Sequence, residues 1–199
     1  MDFYFTIDQI ATATYKDRGS SFIAYAFPMD TPAGFKEMLL KLKEEHPKAV
    51  HHCFAYRIGV TGDNFRVSDD GEPSGSAGRP ILGQIDSKQL TNTGVIVVRY
   101  FGGTLLGVPG LIKAYKSATA LALQTIPHVK KAIEIPYILH FQYEQTNEVI
   151  QLLKQVQASI LEQEIQLFPF IKAAIPSHRL EEFLERLKNI RNVEADNLV

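Results

Sequence analysis

Hydrophobic and polar positions change period several times along this chain, and each change marks an element. SSFIAYAFP (Ser20–Pro28) alternates as a half-buried strand does, with KDRG (Lys16–Gly19) as the turn before it. TPAGFKEMLLKLKEEHP then switches to helical spacing. Thr31 stands as N-cap, Pro32 takes the first helical position, and Phe35, Met38, Leu39 and Leu42 form one apolar face that ends at His46-Pro47. VHHCFAYRIGV (Val50–Val60) returns to period two. Its alternation puts His52, Phe54, Tyr56 and Ile58 on one face and His51, Cys53, Ala55 and Arg57 on the other, so the adjacent histidines point apart. TGDN (Thr61–Asn64) is a hairpin turn and NFRVS the returning strand.

ILGQIDSKQL reads as a short helix. GVIVVRY (Gly94–Tyr100) is a near-continuous β-branched run, which predicts a central strand buried on both faces. FGGTLLGVPG leads from it into a helix from about Pro109 to Thr125, with Leu111, Tyr115, Ala118 and Ala122 on one side. A boundary is predicted near HVKKA (His128–Ala132), separating a domain over 1–130 from one over 134–199. Beyond it the order is strand EIPYILHFQY, helix NEVIQLLKQVQ, strands SILEQEIQL and FIKAAIP, helix RLEEFLERLKNI and a short strand near Val193. That is βαββαβ, the ferredoxin-like order, and the fold class is α+β.

Composition narrows the picture. At 199 residues the chain has room for a sizeable core without staples, and its one cysteine, Cys53, allows no intrachain disulfide. No apolar run approaches membrane-spanning length and MDFYFTI has no basic leader region, so a cytoplasmic protein without membrane contact is expected. The net charge of −1 is shared unevenly: residues 1–133 hold 15 Lys+Arg against 12 Asp+Glu, and residues 134–199 hold 6 against 10. The first part can therefore carry a locally basic cleft.

Two stretches carry candidate chemistry. In SDDGEPSGSAGRP (Ser68–Pro80) three carboxylates, three glycines and three serines crowd into 13 positions with no helix or strand period. Asp69, Asp70 and Glu72 have the oxygen donors that a hard cation takes, and equally suit ion pairs with Arg57, Arg79 or Arg99. G-x-S-x-G is absent, and no helix is predicted directly after Ser76, which argues against a nucleophile turn. In the second stretch, Gly102, Gly103, Gly107 and Gly110 lie between a strand and a helix, with Arg99 before them and Lys113 and Lys116 after. Backbone amides at a helix start suit an anion, with Lys113 adding charge. The spacing fits neither a Walker A loop nor the dinucleotide fingerprint, and the same glycines also suit tight strand–helix packing.

HHCFAYRIG, SDDGEPSGSAGRPIL and VVRYFGGTLLGVPGLIKAYKSA together resemble the three sequence blocks of the IMPACT family, which includes the bacterial YigZ-type proteins. The resemblance implies an N-terminal domain of the ribosomal-protein two-layer type, like the fourth domain of elongation factor G. It implies a C-terminal ferredoxin-like domain like that factor's fifth. Eukaryotic members carry a further N-terminal protein-binding domain through which they oppose activation of a translational stress kinase. This chain starts almost at once with the first shared strand, so that domain is expected to be absent and kinase regulation by that route is not carried over.

The resemblance implies a translation-linked regulator whose partners are RNA, the ribosome or a translation factor. The alternative is a hydrolase acting on a small phosphorylated or peptide substrate. No catalytic set, metal or cofactor is expected, and the candidate binding residues are Arg57, Asp69, Asp70, Glu72, Arg99, Gly102, Gly103, Gly107, Gly110 and Lys113. Two readings of the carboxylates stay open: a ligand cleft, or an ion-pair network that only fixes the loops.

Overall fold

A computed structural model of the chain describes residues 1–198. Its elements are β1 (Phe3–Thr6), β2 (Ala11–Asp17), β3 (Ser20–Pro28), α1 (Pro32–Glu45), β4 (His51–Ile58), β5 (Asn64–Ser68), α2 (Gly78–Ser87), β6 (Thr93–Tyr100) and α3 (Gly107–Gln124). There follow β7 (Val129–Ala132), β8 (Glu134–Phe141), α4 (Thr146–Gln155), β9 (Ser159–Glu164), β10 (Phe170–Pro176), α5 (Leu180–Leu187) and β11 (Val193–Asn197). The mix is α+β. The chain divides into two compact units, Tyr4–Lys131 and residues 1–3 with 132 onward.

The larger unit is built on a five-stranded antiparallel sheet of order β2-β3-β6-β4-β5. β6 lies at its centre because Val95, Ile96, Val97 and Val98 have no polar face and must be covered on both sides. Val95 and Val97 join Phe22, Cys53 and Ala55 in a core under α2 and α3. Ile96 and Val98 join Phe54, Tyr56 and Ile58 in a second core, under α1. Helices thus cover both faces, giving three layers where the resemblance implied two. The alternation of β4 demands this, since both of its faces are apolar. Phe35 keys α1 to its face, with ring centroids 4.8 Å from both Phe54 and Tyr56.

β2 is an element that the periodicity misses. Its inward positions are Ala11, Ala13 and Tyr15, two of them too small to mark a strand by hydrophobicity. The turn before β3 is a two-residue hairpin loop: Asp17 pairs with Ser20, and Arg18 (φ 45°) and Gly19 (φ 80°) both lie in the left-handed region. β1 and β7 are also too short to read from sequence, and pair in a two-stranded sheet.

The second unit has a four-stranded sheet of order β11-β8-β10-β9, all neighbours antiparallel, in βαββαβ sequence. Tyr137, Leu139 and Phe141 of β8 and Ile171, Ala173 and Ile175 of β10 meet Val149, Leu152, Leu153 and Phe183 of the two helices in one buried cluster. A hydrophobic core of its own makes this unit a candidate for independent folding. A fragment of residues 132–199 is expected to melt in one cooperative transition by circular dichroism. A gradual, non-cooperative melt shows that it depends on the larger unit.

Candidate functional site

The polar stretch after β5 is held by three carboxylates that each bind something different. Asp69 points back into its own loop. One of its oxygens accepts from the backbone N–H groups of Ala77 (2.9 Å) and Gly78 (2.8 Å), and the other accepts from Gly75 N–H (2.8 Å). Ala77 is the N-cap position of α2 and has no capping side chain, so Asp69 supplies the missing acceptor from eight residues upstream. Burial alone raises the Asp69 pKa, but these amides, with Arg79 nearby, hold it below the ordinary value. Asp70 adopts φ 41°, and its carboxylate accepts from the backbone N–H of His52 at 2.6 Å.

Glu72 turns inward. Its side chain is 3% exposed, and Oε1 accepts from Arg99 at 2.5 Å and from the Tyr115 hydroxyl at 2.7 Å. Arg99 is 5% exposed, its guanidinium lying over the rings of Phe22 and Phe101. Cys53 Sγ is 2.9 Å from Asp69 O and 3.3 Å from the Tyr115 oxygen. Burial pushes both the Cys53 thiol and the Tyr115 phenol up, away from their reactive anions. His51 Nδ1 donates to the Asp70 carbonyl (2.7 Å), which leaves Nε2 facing Glu72 at 4.0 Å. The loop, β4, β6 and α3 therefore meet on one buried carboxylate.

The structure separates residues that sequence reasoning had grouped. Arg57 does not join this cluster. It binds Asp86 of α2 at 2.7 Å, donates to the Gly62 carbonyl and lies over Phe65. The three carboxylates do not converge on a cation position, since each is engaged by its own donors. Among the described residues no group of three or more His, Cys, Asp or Glu side chains is arranged to hold a metal. One expectation is corrected: α2 does start directly after Ser76 and Ala77. Ser76 is nevertheless fully buried and donates to the Pro73 carbonyl at 2.6 Å, a turn bond and not an activated hydroxyl.

The glycine loop divides by role. Gly102 passes so close to the β2–β3 turn that a Cβ would fall 1.9 Å from the Gly19 carbonyl carbon, and its N–H donates to Ser20 Oγ. Gly110 fits against Leu106. These two glycines answer to packing. Gly103 and Gly107 take φ 84° and 69° and turn the chain into α3. Leu106 caps α3 without a side-chain bond, and no acceptor meets the Gly107 and Val108 amides among the described residues, Pro109 after them having no N–H. The loop exposes Phe101 and Leu105 (81%), and the first turns of α3 expose Val108 and Ile112 together with Lys113 and Lys116. Sequence reasoning missed these four side chains, although an apolar run threaded with glycine is the signal that would have found them.

On the other face of the sheet, His46 bridges the hydroxyls of Tyr25 (2.7 Å) and Tyr100 (2.9 Å). His52 lies near, its pKa lowered by burial. This second polar cluster was also not anticipated, because its members come from the C-cap of α1 and from β3, β4 and β6.

Two measurements test the cluster. Glu72→Ala leaves the Arg99 guanidinium buried without a counter-charge and is expected to cost about 3–5 kcal/mol in urea unfolding, whereas Glu72→Ala with Arg99→Leu recovers part of that loss. A double variant no more stable than the single one contradicts the pairing. Asp69 acts through its depressed pKa, so its contribution is present above the ordinary value of 3.8 and disappears as pH falls through the lower folded value. The stability of Asp69→Ala is therefore expected to approach that of the native chain below that range. The gap at neutral pH is expected to be about 1–2 kcal/mol, modest because the group is partly exposed.

Comparison with known proteins follows the same blocks. A family model described as the Impact N-terminal domain matches residues 18–123, which contain both the loop cluster and the glycine loop. The chain is 34% identical over 178 residues to the IMPACT family member YigZ of Escherichia coli strain K12, covering 88% of this chain and 87% of that one. It is 36% identical over 170 residues to an IMPACT family member of Haemophilus influenzae, covering 84% and 82%. A crystal structure of a hypothetical protein superposes with a TM-score of 0.78 at 30% identity, over 98% of this chain and 97% of that one. With the model matching over half of its length and relatives matching over most of it, this chain belongs to the IMPACT family.

Proposed function

We propose that this protein is a translation-linked regulatory binding protein of the cytoplasm, which docks on RNA, the ribosome or a translation factor through the surface around the glycine loop. One observation carries the reading: the reactive-looking groups are closed inward and the recognition groups face outward. Glu72 is ion-paired with Arg99 and accepts from the Tyr115 hydroxyl, the Cys53 thiol is buried with its pKa raised, and the Ser76 hydroxyl is spent on Pro73. Outside them stand the uncapped start of α3, the exposed apolar side chains of the loop, and Lys113.

Anionic phosphate oxygens are the natural partner for such amides, because the helix start presents N–H groups and the positive end of the dipole together. Gly102, Gly103, Gly107 and Gly110 shape the approach, Lys113 adds charge, and Asp69, Asp70, Glu72 and Arg99 hold the frame behind it. Arg57 stands apart and takes no share. The same reading treats the second unit as a counterpart of the fifth domain of elongation factor G, which its βαββαβ order supports; the likeness of the larger unit to that factor's fourth domain is not carried further, because its sheet is covered on both faces. No described helix is long and apolar enough to cross a membrane.

Co-sedimentation with ribosomes through a sucrose cushion tests the reading. The native chain is expected in the pellet at low salt and to leave it as salt rises, since each phosphate contact releases counterions. Lys113→Glu and Leu105→Ser, both on exposed positions, are expected to remain in the supernatant. A native chain that stays soluble at low salt, or variants that pellet as it does, overturn the proposal.

A further inference from the structure

Away from the glycine loop, β5 is an edge of the five-stranded sheet. It pairs only with β4, and no backbone bond is made on its outer side among the described residues. On the α1 side of the sheet this edge faces α1 across a groove of about 490 Å³. Phe54 and Tyr56 form its floor, Phe35 and Leu39 of α1 form one wall, and Lys36 and Arg66 stand at its rim. We propose that this groove receives an extended, acidic segment of a partner protein, which adds to β5 as a further antiparallel or parallel strand.

The register specifies what the segment carries. Arg66 is paired with Tyr56 and Ser68 with Phe54, so Arg66 and Ser68 point to the same side, into the groove. On an added strand, the residues beside them are two apart and share that side. Beside Arg66 an acidic side chain is favoured, because opposite charges directly across a sheet attract. Beside Ser68 an apolar side chain is favoured, because serine is short and Pro32, Ala33 and Leu39 line the groove above it with accessible apolar surface. Lys36, on the helix wall, adds a second positive charge. Neither the Lys36 nor the Arg66 side chain has an ion-pair or hydrogen-bond partner among the described residues. Backbone pairing supplies affinity and these alternate side chains supply selectivity, the division of labour in strand addition beside a helix.

The alternatives fit less well. A second copy of this chain pairing β5 against β5 brings Arg66 toward Arg66, a like-charge contact that costs stability. A nucleic acid strand needs a track of cations and free ring faces, but the rim has two cations, and Phe54 and Tyr56 are 8% and 6% exposed with Phe35 packed on them.

The test uses the isotopically labelled full chain and the capped heptapeptide Thr-Glu-Thr-Phe-Thr-Glu-Thr, whose Glu and Phe side chains share one face when extended. Amide shifts are expected at Asn64–Ser68 and along residues 32–39. Arg66→Glu and Lys36→Glu, at an exposed strand edge and an exposed helix surface, are each expected to weaken binding about tenfold while leaving the spectrum folded. The same peptide N-methylated at every residue is expected not to bind, since neither of its edges can then donate to β5 in either strand direction. No shift at residues 64–68 overturns the proposal, as does equal binding by the lysine-for-glutamate peptide or by the N-methylated one. Shifts at these amides with oligothymidylate but not with the peptide assign the groove to nucleic acid instead and likewise overturn it.

Discussion

The carboxylate of Glu72 is the point on which the larger unit turns. It is buried, and a buried charge is tolerated only with a counter-charge and hydrogen bonds in place. Arg99 from β6 and Tyr115 from α3 supply both, and His51 from β4 stands 4.0 Å away. A loop with no regular structure is thereby tied to the central strands and the longest helix at one atom. Asp69 and Asp70 complete the tie on either side, one closing the loop onto the start of α2 and the other onto the backbone of β4. Loop residues that bind their own fold this way are spent on position, which is why the loop lies at the base of the proposed docking surface and not on it.

That inward consumption of charge shapes what the outer surface can do. Arg99 passes its order outward through Phe101, whose ring lies under the guanidinium while remaining half exposed. From there the glycine loop runs over the surface into the uncapped start of α3. A rigid base and a short exposed loop suit recognition, because little conformational freedom is lost when a partner binds. The α1 side of the sheet offers a different kind of surface. There the floor is apolar, the strand edge is open and the cations are unspent, which suits backbone pairing with a protein segment more than capture of a phosphate.

The three carboxylates at 69, 70 and 72 look in sequence like one cation site. In the fold, positive φ at Asp70 and at Gly71 (φ 90°) turns successive side chains in different directions, and each finds its own donor. Arg57 shares a strand face with His51 and Cys53, but lies far enough along β4 to meet Asp86 at the end of α2 instead. Alternation states which face a residue occupies, and not how far along that face its partner lies.

By itself the sequence determined the elements with strong apolar periods: β3, α1, β4, β6, α3 and the βαββαβ order of the second unit. It also determined the family, through three blocks whose residues recur here as loop, strand and helix start. Local periodicity is enough for these because one side chain after another meets the same environment. Only the tertiary structure decided that helices cover both faces of the larger sheet, that alanine-rich β2 is a strand, and that β5 is an open edge beside α1. Only it decided which arginine answers Glu72. Those outcomes depend on contacts between residues tens of positions apart, such as the 27 that separate Glu72 from Arg99, and no local pattern records them.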